Sequence, residues 1–373
     1  MNWGRNDSSV FPRPLSRRAP CASAHRHRAR DRTRIQISQS GVAALVQQHL
    51  YGVVKSATNP RAGEQYPGTW REFRAWFGEE SSCMAYLEQL RWKAGFRCHR
   101  CEGDKGWRLA DGRWSCAGCS RRISVTAGTI FDRSRIPLQD WFTAAWYMTN
   151  QKHGLSALGL QQLLGLGSYQ TAWTMLHKLR TAMVRPGRER LHGPVEVDET
   201  YVGGIEEGVR GRGTNTNFIV GIAIEILSPK GFGSVRLQRL RDVSANSLIA
   251  FIGDAVESGA EVYTDAWAGY SALARQGYRH KPINLSYSGD PAHVSMPGVH
   301  VVASLLKRWL LGTHQGSVTA QHLDAYLDEF TFRFNRRHSR QRGMLFYRLL
   351  ENAVVTAPTR FRPTRALDSD HNR

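Results

Sequence analysis

Apolar residues recur at helical spacing in two stretches of the first half of the chain. The first begins at Trp70 and predicts a short amphipathic helix that ends before Gly95. The second runs from Pro137 to Met183 and is interrupted around Gly165, so it predicts one helix followed by two short helices joined by a glycine-containing turn. The last two match a helix-turn-helix that reads DNA, although any small helical hairpin would show the same pattern.

The period of the pattern changes from 3.6 to 2 after residue 193. Alternating or continuous apolar stretches predict strands over 195–204, 218–226, 234–240 and 261–265, and a helix over 245–258 separates the last two strands. Three strands, a helix and a fourth strand are the order of elements in a ribonuclease-H-like core.

Four of the six cysteines lie within 22 residues, in the arrangement Cys98-His-Arg-Cys101 and Cys116-Ala-Gly-Cys119. Each Cys-x-x-Cys pair lets a tight turn point two sulfurs at one ion, and four sulfurs complete a tetrahedral zinc site. The residues between the two pairs alternate around an Asp-Gly turn, which predicts a hairpin and therefore a zinc ribbon. With four sulfur ligands the Zn²⁺ has no open position, so we expect it to be structural.

These elements together predict an α/β fold: a ribonuclease-H-like mixed sheet with helices, preceded by a zinc ribbon and a helical, helix-turn-helix-like segment. The predicted regions are a disordered basic tail and linker (1–68), the zinc ribbon (69–136), the helical DNA-binding segment (137–190), the ribonuclease-H-like catalytic domain (191–352) and a disordered tail (353–373).

The charge of the chain points to a polyanionic partner. Its 373 residues include 51 Lys and Arg against 31 Asp and Glu, a formal net charge of +20. Self-repulsion of this size destabilises a compact protein unless a polyanion neutralises it, so we expect double-stranded DNA, with a basic enzyme that does not use nucleic acid as the alternative. No apolar run of about 18 residues and no secretory signal is present, which predicts no membrane association and a cytoplasmic, nucleoid-associated protein.

Two arginine clusters are candidates for DNA contact, with solvated surface as the alternative for each. The cluster in the predicted ribbon consists of Arg100, Arg108, Arg113, Arg121 and Arg122. The cluster beside a predicted helix over 323–334 consists of Arg333, Arg336, Arg337, Arg340 and Arg342.

Two of the predicted strands end in an aspartate, Asp198 on the first and Asp265 on the fourth. In this order of elements the two strand ends converge, and two ionised carboxylates at short distance repel unless a cation lies between them. Oxygen ligands suit Mg²⁺ or Mn²⁺ and phosphodiester chemistry. Glu196 and Glu199 flank the first aspartate and could substitute as ligands. Strand alternation puts Glu196 on the side of the aspartate, where we expect it to support the ligands.

A third candidate residue lies on a predicted helix over 299–311. His300 and Lys307 lie on one face of this helix, two turns apart, and His300 follows Asp265 by 35 residues. Histidine on its own is more often a surface or core residue, so its spacing to the other two residues is what makes it a candidate.

The stretches VDETYVGG, YTDAWAGY, LLKRWLLGTHQG and LDEFTFRFNRR closely resemble the ISXO-type branch of bacterial insertion-sequence transposases, within the DDE superfamily, and the upstream zinc ribbon is similar too. The resemblance covers residues 70–352. It implies that Asp198 and Asp265 bind the catalytic metal ions, that His300 occupies the position usually held by glutamate, and that Lys307 contacts DNA phosphate near the scissile bond.

Histidine at the third position departs from the general pattern of the superfamily, because imidazole is a poorer ligand for Mg²⁺ than carboxylate. His300 is then expected to favour Mn²⁺, to contact the metal through water, or to orient the attacking nucleophile. Asp290 and His293, in the loop before this helix, are expected to be solvated.

The resemblance implies a DNA transposase that binds the ends of its element and catalyses metal-dependent cleavage and strand transfer. Because transposition holds two ends together, we expect a homo-oligomer on DNA. The alternatives are a ribonuclease-H-like nuclease or resolvase that cuts without joining, and a catalytically inactive DNA-binding regulator.

Overall fold

The computed structural model describes most of the chain beyond residue 58. The described residues are 59–184, 187–203, 217–284, 292–315 and 318–359. The predicted N-terminal tail and linker lies outside them except for its last ten residues, in which Ala62 and Tyr66 form a short β-bridge and the Tyr66 ring is buried. This end of the predicted linker is therefore packed. The predicted C-terminal tail lies outside the described residues from residue 360 onward.

Runs of helices and runs of strands follow one another along the described part of the chain. The described helices are α1 (Trp70–Trp76), α2 (Glu80–Arg91), α3 (Leu138–Asn150), α4 (Ala157–Leu164), α5 (Tyr169–Thr181), α6 (Ala245–Ala255), α7 (Ala292–Ser295), α8 (Pro297–His314), α9 (Ala320–Phe334) and α10 (Gly343–Ala353). The described strands are β1 (Gly106–Arg108), β2 (Trp114–Cys116), β3 (Arg122–Ile123), β4 (Pro194–Val202), β5 (Phe218–Ile226), β6 (Phe232–Leu240), β7 (Glu261–Asp265) and β8 (Arg279–Ile283).

The helical segment after the ribbon has local signals that set where its helices begin and end. The side chain of Ser156 accepts a hydrogen bond from the N–H of Gly159 and so begins α4. Gly165 ends α4 at a φ of 63°, a left-handed conformation that glycine adopts without strain. The chain then turns into α5, which packs against α4. This arrangement is the helix-turn-helix-like pair that the apolar spacing predicts.

Strands β4 to β8 form a five-stranded sheet in the order β6-β5-β4-β7-β8. β4, β5 and β6 are antiparallel neighbours, whereas β7 pairs parallel with β4 and β8 parallel with β7. This mixed sheet with helices on both faces has the ribonuclease-H-like fold, so the predicted fold class is confirmed. The edge strand β8 was not predicted, because its Arg-His-Lys-Pro-Ile sequence is polar and partly exposed and lacks an apolar alternation.

Each face of this sheet has its own core. On one face Val195 and Val197 of β4 pack with Phe251 of α6. On the other face Val202 of β4 and the inward residues of β5 pack with Val302 of α8 and with α9. Because successive residues of a strand point to opposite faces, even-numbered residues of β4 point toward α8 and odd-numbered residues toward α6.

The last helix, α10, returns to the N-terminal half of the protein. It packs against α2 and α3. The Phe346 ring lies 5.5 Å from the ring of Phe73, 5.8 Å from that of Phe142 and 5.6 Å from that of Trp146, measured between centroids. The end of the predicted catalytic domain thus contributes to the core of the helical half, and the domain boundary at residue 352 stays a prediction.

The C-terminal arginines bond largely to the protein itself. Arg333 Nη2 donates to the carbonyl oxygens of Gln151 at 2.5 Å and Lys152 at 2.6 Å, and Arg342 Nη2 donates to that of Thr149 at 2.9 Å. The other members that bond backbone carbonyl groups are Arg336 and Arg337. Part of the hydrogen-bonding capacity of these four side chains is thus used within the protein, and the expected row of arginines along DNA stays a prediction.

Candidate functional site

The four predicted zinc ligands come together in the ribbon. The sulfur atoms of Cys98, Cys101, Cys116 and Cys119 all lie within 4.8 Å of one another. Cys101 and Cys116 are 3.5 Å apart, and Cys98 and Cys119 are 3.7 Å apart, measured between sulfurs. Four sulfurs that each bind one zinc at about 2.3 Å are separated by roughly 3.8 Å, so the cluster has the size that the ion requires.

The ionisation of these thiols also suits a cation. Burial raises the pKa of Cys98, but hydrogen bonds from the N–H groups of Cys101 and Arg100 and from neighbouring thiols more than offset burial and lower it to about 7. The N–H of Gly103 favours the Cys101 thiolate, whereas the surrounding sulfurs raise its pKa to about 12. The first thiolate thus opposes formation of the second, and a divalent cation removes that repulsion.

The ribbon around the sulfurs is a small three-stranded sheet supported by a cluster of three aromatic rings, Trp92, Phe96 and Trp114. β1 and β2 form the predicted hairpin, with Trp107 opposite Ser115, and β3 pairs with β2. The rings of Phe96 and Trp114 stack with their centroids 5.0 Å apart. The three strands are short, and Phe96 and Ile123 belong to the core shared with the neighbouring helices, so a zinc ion bound by the four sulfurs would add its binding free energy to the stability of the module.

Asp198 and Asp265 lie on the neighbouring parallel strands β4 and β7, two residues beyond the last pair of their ladder. The ladder between β4 and β7 pairs Glu196 with Tyr263, and the same offset carried two residues further aligns Asp198 with Asp265. Neighbouring strands are about 4.8 Å apart, and residues two positions apart share a face of the sheet. The two carboxylates therefore lie on the same face, which is the face that α8 covers.

Glu196 connects this face of β4 to the start of α8. Its Oε2 accepts a hydrogen bond from the N–H of Val299 at 3.0 Å, and its side chain is buried. Burial raises the pKa of Glu196, and the N–H groups of Val299 and Gly298 oppose that rise. The negative charge lies at the positive end of the helix dipole, so it holds the first turn of α8 against the sheet.

Gly298 allows this close approach of helix and strand. A Cβ atom at that position would lie 2.9 Å from Oε2 of Glu196, which is closer than carbon and oxygen atoms pack. His300 follows in the same turn and is half-buried. Lys307 lies seven residues further along α8, about 10.5 Å along the helix axis, and is exposed.

A buried tyrosine interacts electrostatically with acidic side chains of both strands. Tyr270 Oη donates to Oε2 of Glu199 at 2.8 Å, and the ring is completely buried. Burial raises the pKa of Tyr270 far above its ordinary range, and Glu199, Asp198 and Asp265 raise it further. Sequence reasoning missed this residue, although it ends the YTDAWAGY motif five residues after Asp265.

Backbone groups orient the two aspartates. Oδ1 of Asp198 accepts from the N–H of Glu199 at 2.8 Å, and Oδ1 of Asp265 accepts from the N–H of Trp267 at 3.2 Å. The structure thus brings the two aspartates to adjacent strands and places His300 on the helix that covers their face. The assignment of these three residues as metal ligands, and of the fourth predicted residue on α8 as a phosphate contact, stays a prediction.

The structure does not describe the side chains of two further residues that the sequence places near this site. Asp290 lies outside the described residues, and for His293 only the backbone within α7 is described. The expectation that both are solvated therefore stays a prediction.

Fold and site together define a class: a protein with a ribonuclease-H-like sheet, paired strand aspartates and a separate four-thiol ribbon. Comparison with known proteins agrees with this class. An ISXO2-like transposase domain matches residues 190–335, and a transposase zinc-ribbon domain matches residues 78–122. These two matches confirm the resemblance to ISXO2-like insertion-sequence transposases that the sequence motifs predict.

A relative from Halobacterium salinarum, described as an uncharacterized protein in transposable element ISH50, is 26% identical over 278 residues. The match covers 69% of this chain and 91% of that protein. In the part of the chain that the structure describes, no helix has both the length and the apolar character that a membrane span requires.

Proposed function

We propose that this chain is the DNA transposase of a bacterial insertion sequence, which binds double-stranded DNA at the ends of its element and catalyses metal-dependent cleavage and strand transfer into target DNA. The observation that carries the proposal is the parallel pairing of β4 with β7, whose last pair, Glu196 with Tyr263, lies two residues before Asp198 and Asp265. The match of residues 190–335 to a transposase domain supports the class of reaction.

The residues that would hold the catalytic ions are Asp198, Asp265 and His300. The two carboxylates supply hard oxygen ligands that fit Mg²⁺ or Mn²⁺, and an imidazole nitrogen as third ligand favours Mn²⁺. Bound divalent ions stabilise charge on the attacking and leaving oxygens of an in-line displacement at phosphorus.

Other side chains of the protein position these groups. Glu196 holds the first turn of α8 against β4, which determines where His300 lies above the sheet. Tyr270 stays protonated because it is buried, and its hydroxyl fixes the carboxylate of Glu199 on the opposite face. Lys307 carries an exposed positive charge on α8 that would bind a DNA phosphate.

Transposition joins two element ends to one target, so the active complex needs both ends at once. We therefore expect at least two copies of the chain in the complex with end DNA. Light scattering of the complex formed with Ca²⁺, which does not support cleavage in most two-metal nucleases, measures this number; one copy per complex contradicts it.

A strand-transfer assay tests the proposed reaction. Duplexes that carry the ends of the element are incubated with a target plasmid, the full chain and Mg²⁺ or Mn²⁺. Asp198→Asn and Asp265→Asn each remove one negative charge from the site and should abolish joined product. Asp254→Asn removes an exposed carboxylate from α6, on the other side of the sheet, and should join like the unaltered protein.

The products separate the proposal from its alternatives. Joining that persists in either of the two site variants overturns the assignment of the aspartates. Cut but unjoined DNA identifies a nuclease or resolvase instead, and DNA binding without cleavage under either ion identifies an inactive regulator.

His300→Glu separates the possible roles of the third residue. If His300 binds metal, glutamate replaces it as a ligand and shifts the preferred ion from Mn²⁺ toward Mg²⁺. If His300 only orients the nucleophile, the variant loses joining with both ions.

A further inference from the structure

A concave surface of the described ribbon that is rich in arginine lies beside the zinc cluster, since it is lined by His99 and Arg100 between two of the cysteines. A cavity of about 490 Å³ opens there. We call it the arginine cavity. Its charged and titratable lining residues are His99, Arg100, Arg121, Arg122, Asp132 and Arg133. Four guanidinium groups thus face one carboxylate across the cavity.

The arginines of the ribbon divide into two groups by their partners. Three of them form ion pairs within 4.0 Å: Arg97 with Glu102, Arg108 with Glu88 and Arg113 with Asp111. By contrast, none of the four arginines that line the cavity forms such a pair with any residue that the structure describes. The four arginines that line the cavity thus lack a close carboxylate partner among the described residues, and Arg122 acts only at longer range on Asp111, whose pKa it helps to lower.

The single carboxylate of the cavity is shared with other cations. Burial lowers the pKa of Arg91, and Asp132 partly offsets this. Burial also lowers the pKa of Lys178, and Asp132 again partly offsets it. Since Asp132 already balances these two neighbours, it neutralises little of the charge on the four arginines.

The wall of the cavity is held in place by the half-buried side chain of Arg91. Nη1 of Arg91 donates to the carbonyl oxygen of Val125 at 2.6 Å, and its Nη2 donates to that of Ala127 at 2.7 Å. Ala127 is itself a lining residue. The loop after β3 is therefore fixed before any ligand binds, which lowers the entropy cost of binding.

The cavity lies near the helix-turn-helix-like pair. Lys178 belongs to α5, and its electrostatic interaction with Asp132 places this helix close to the cavity wall. A DNA duplex that contacts α5 would therefore pass the cavity with its sugar-phosphate backbone.

We propose that the arginine cavity is a binding site for backbone phosphates of DNA, which anchors the duplex to the zinc ribbon beside α5. The proposal rests on the proposed function insofar as DNA is the substrate. Planar guanidinium groups donate bidentate hydrogen bonds to phosphate oxygens, and several converging groups neutralise adjacent phosphates. The contact carries no base information, so it adds affinity rather than sequence preference.

The salt dependence of DNA binding tests this site independently of catalysis. Binding of the full zinc-loaded chain to a fluorescent duplex is measured by anisotropy at several salt concentrations, without Mg²⁺ or Mn²⁺. Each phosphate contact that is lost reduces the slope of log K against log salt by about 0.9. Arg133→Gln should therefore reduce the slope by about 0.9, and Arg122→Gln with Arg133→Gln by about 1.8.

The matched control is Arg135→Gln. Arg135 is exposed and lies two residues from Arg133 in the same loop, but it does not line the cavity, so its loss should leave the slope unchanged. Arg133→Lys keeps the charge and should restore most of the slope. The zinc content of every variant shows that the ribbon is intact.

The outcomes of the salt-dependence experiment test the cavity proposal separately from the proposed strand-transfer reaction. Equal slopes for Arg133→Gln and Arg135→Gln, or an unchanged slope in the double variant, overturn the cavity proposal even if the strand-transfer assay succeeds. A reduced slope supports it even if no joined product forms. Inorganic phosphate that displaces the duplex only from the protein with an intact cavity supports the site. Loss of preference for one duplex sequence without a change of slope indicates base contacts and overturns it.

Discussion

Arg180 and Glu329 form a buried ion pair that joins α5 to α9. Nε of Arg180 donates to Oε2 of Glu329 at 2.8 Å, and the side chains are 2% and 0% exposed. Arg333 donates to the other carboxylate oxygen of Glu329 at 3.2 Å. The helix-turn-helix-like pair is thus tied to the half that contains the five-stranded sheet through one carboxylate that two guanidinium groups hold. Charges this deeply buried are tolerated only while they remain paired.

Breaking this pair should destabilise the protein strongly. Arg180→Met keeps much of the side-chain volume but leaves a buried carboxylate with one guanidinium partner, so we expect a loss of about 3 kcal/mol in the free energy of unfolding. Urea denaturation monitored by circular dichroism measures the change. The control is Arg239→Met, which breaks the exposed pair with Asp324 and should cost about 1 kcal/mol or less. Equal losses in the two variants would show that burial of the pair contributes nothing.

Gly298→Ala and Gly312→Ala should act in opposite directions within one helix. At Gly298 the new Cβ would lie 2.9 Å from Oε2 of Glu196, so α8 must shift from β4 and unfolding should become easier by about 1–3 kcal/mol. At Gly312 nothing lies within 4 Å of the new atom, and better helix propensity should stabilise by up to about 1 kcal/mol. Thermal denaturation compares the two. Strand transfer should fall only in the first, because His300 moves with the helix.

Removal of one thiol from the cluster should release zinc, whereas removal of another buried thiol should not. Cys116→Ala takes away one of four ligands, and the chain should then retain much less than one zinc per molecule after dialysis against a weak chelator. Cys83 is fully buried in α2, where burial raises the pKa of its thiol, and it is not part of the cluster. Cys83→Ala should therefore keep its zinc while losing some stability. Elemental analysis measures the zinc content of the two variants. Equal zinc in both contradicts the assignment of the four cysteines as zinc ligands.

The stability of the protein should fall as the pH decreases below about 6.5. Burial, together with the charges of Arg180, His322 and His314, lowers the pKa of His177 to about 2. The unfolded chain binds a proton at this residue near pH 6.5, whereas the folded state does not. The contribution of this residue to the free energy of unfolding is therefore complete above pH 6.5 and is lost as the pH falls. The loss is about 1.4 kcal/mol per pH unit for one histidine.

His177→Leu should remove this part of the pH dependence. Urea unfolding at intervals between pH 7.5 and 4.5 gives the slope of the free energy of unfolding against pH. In the variant this slope should decrease by the equivalent of about one bound proton. His314 contributes in the same direction, since burial lowers its pKa to about 4. Substitution of the exposed His338 should leave the slope as it is, and a similar decrease there would contradict the role of burial.

The parts of the site that the sequence predicts are those set by neighbours along the chain. Two Cys-x-x-Cys turns bring their sulfurs together through local geometry, so the zinc cluster could be predicted in full. Alternation along β4 separates the even-numbered carboxylates from the odd-numbered ones, and the hydrogen bond from Val299 to Glu196 places Glu196 on the face expected for it. Its partner could not be predicted, because 103 residues separate it from the helix it holds.

Other features depend on which segments meet after the chain folds. Strand β8 forms at an edge, where one paired side is enough to hold a polar strand that has no apolar alternation. Tyr270 became part of the site only because the turn after β7 folds back onto Glu199.

The sequence by itself determined the fold class, the thiol cluster and the strands that carry the aspartates, because periodicity and short spacings act over a few residues. Only the tertiary structure decided which charges are compensated. Arg333 and Arg180 meet carbonyl groups and a buried carboxylate, whereas Arg122 and Arg133 face an open cavity. Whether the charge of an arginine is compensated depends on the groups that distant segments of the chain place within about 3 Å of it. A local sequence pattern does not predict that distance.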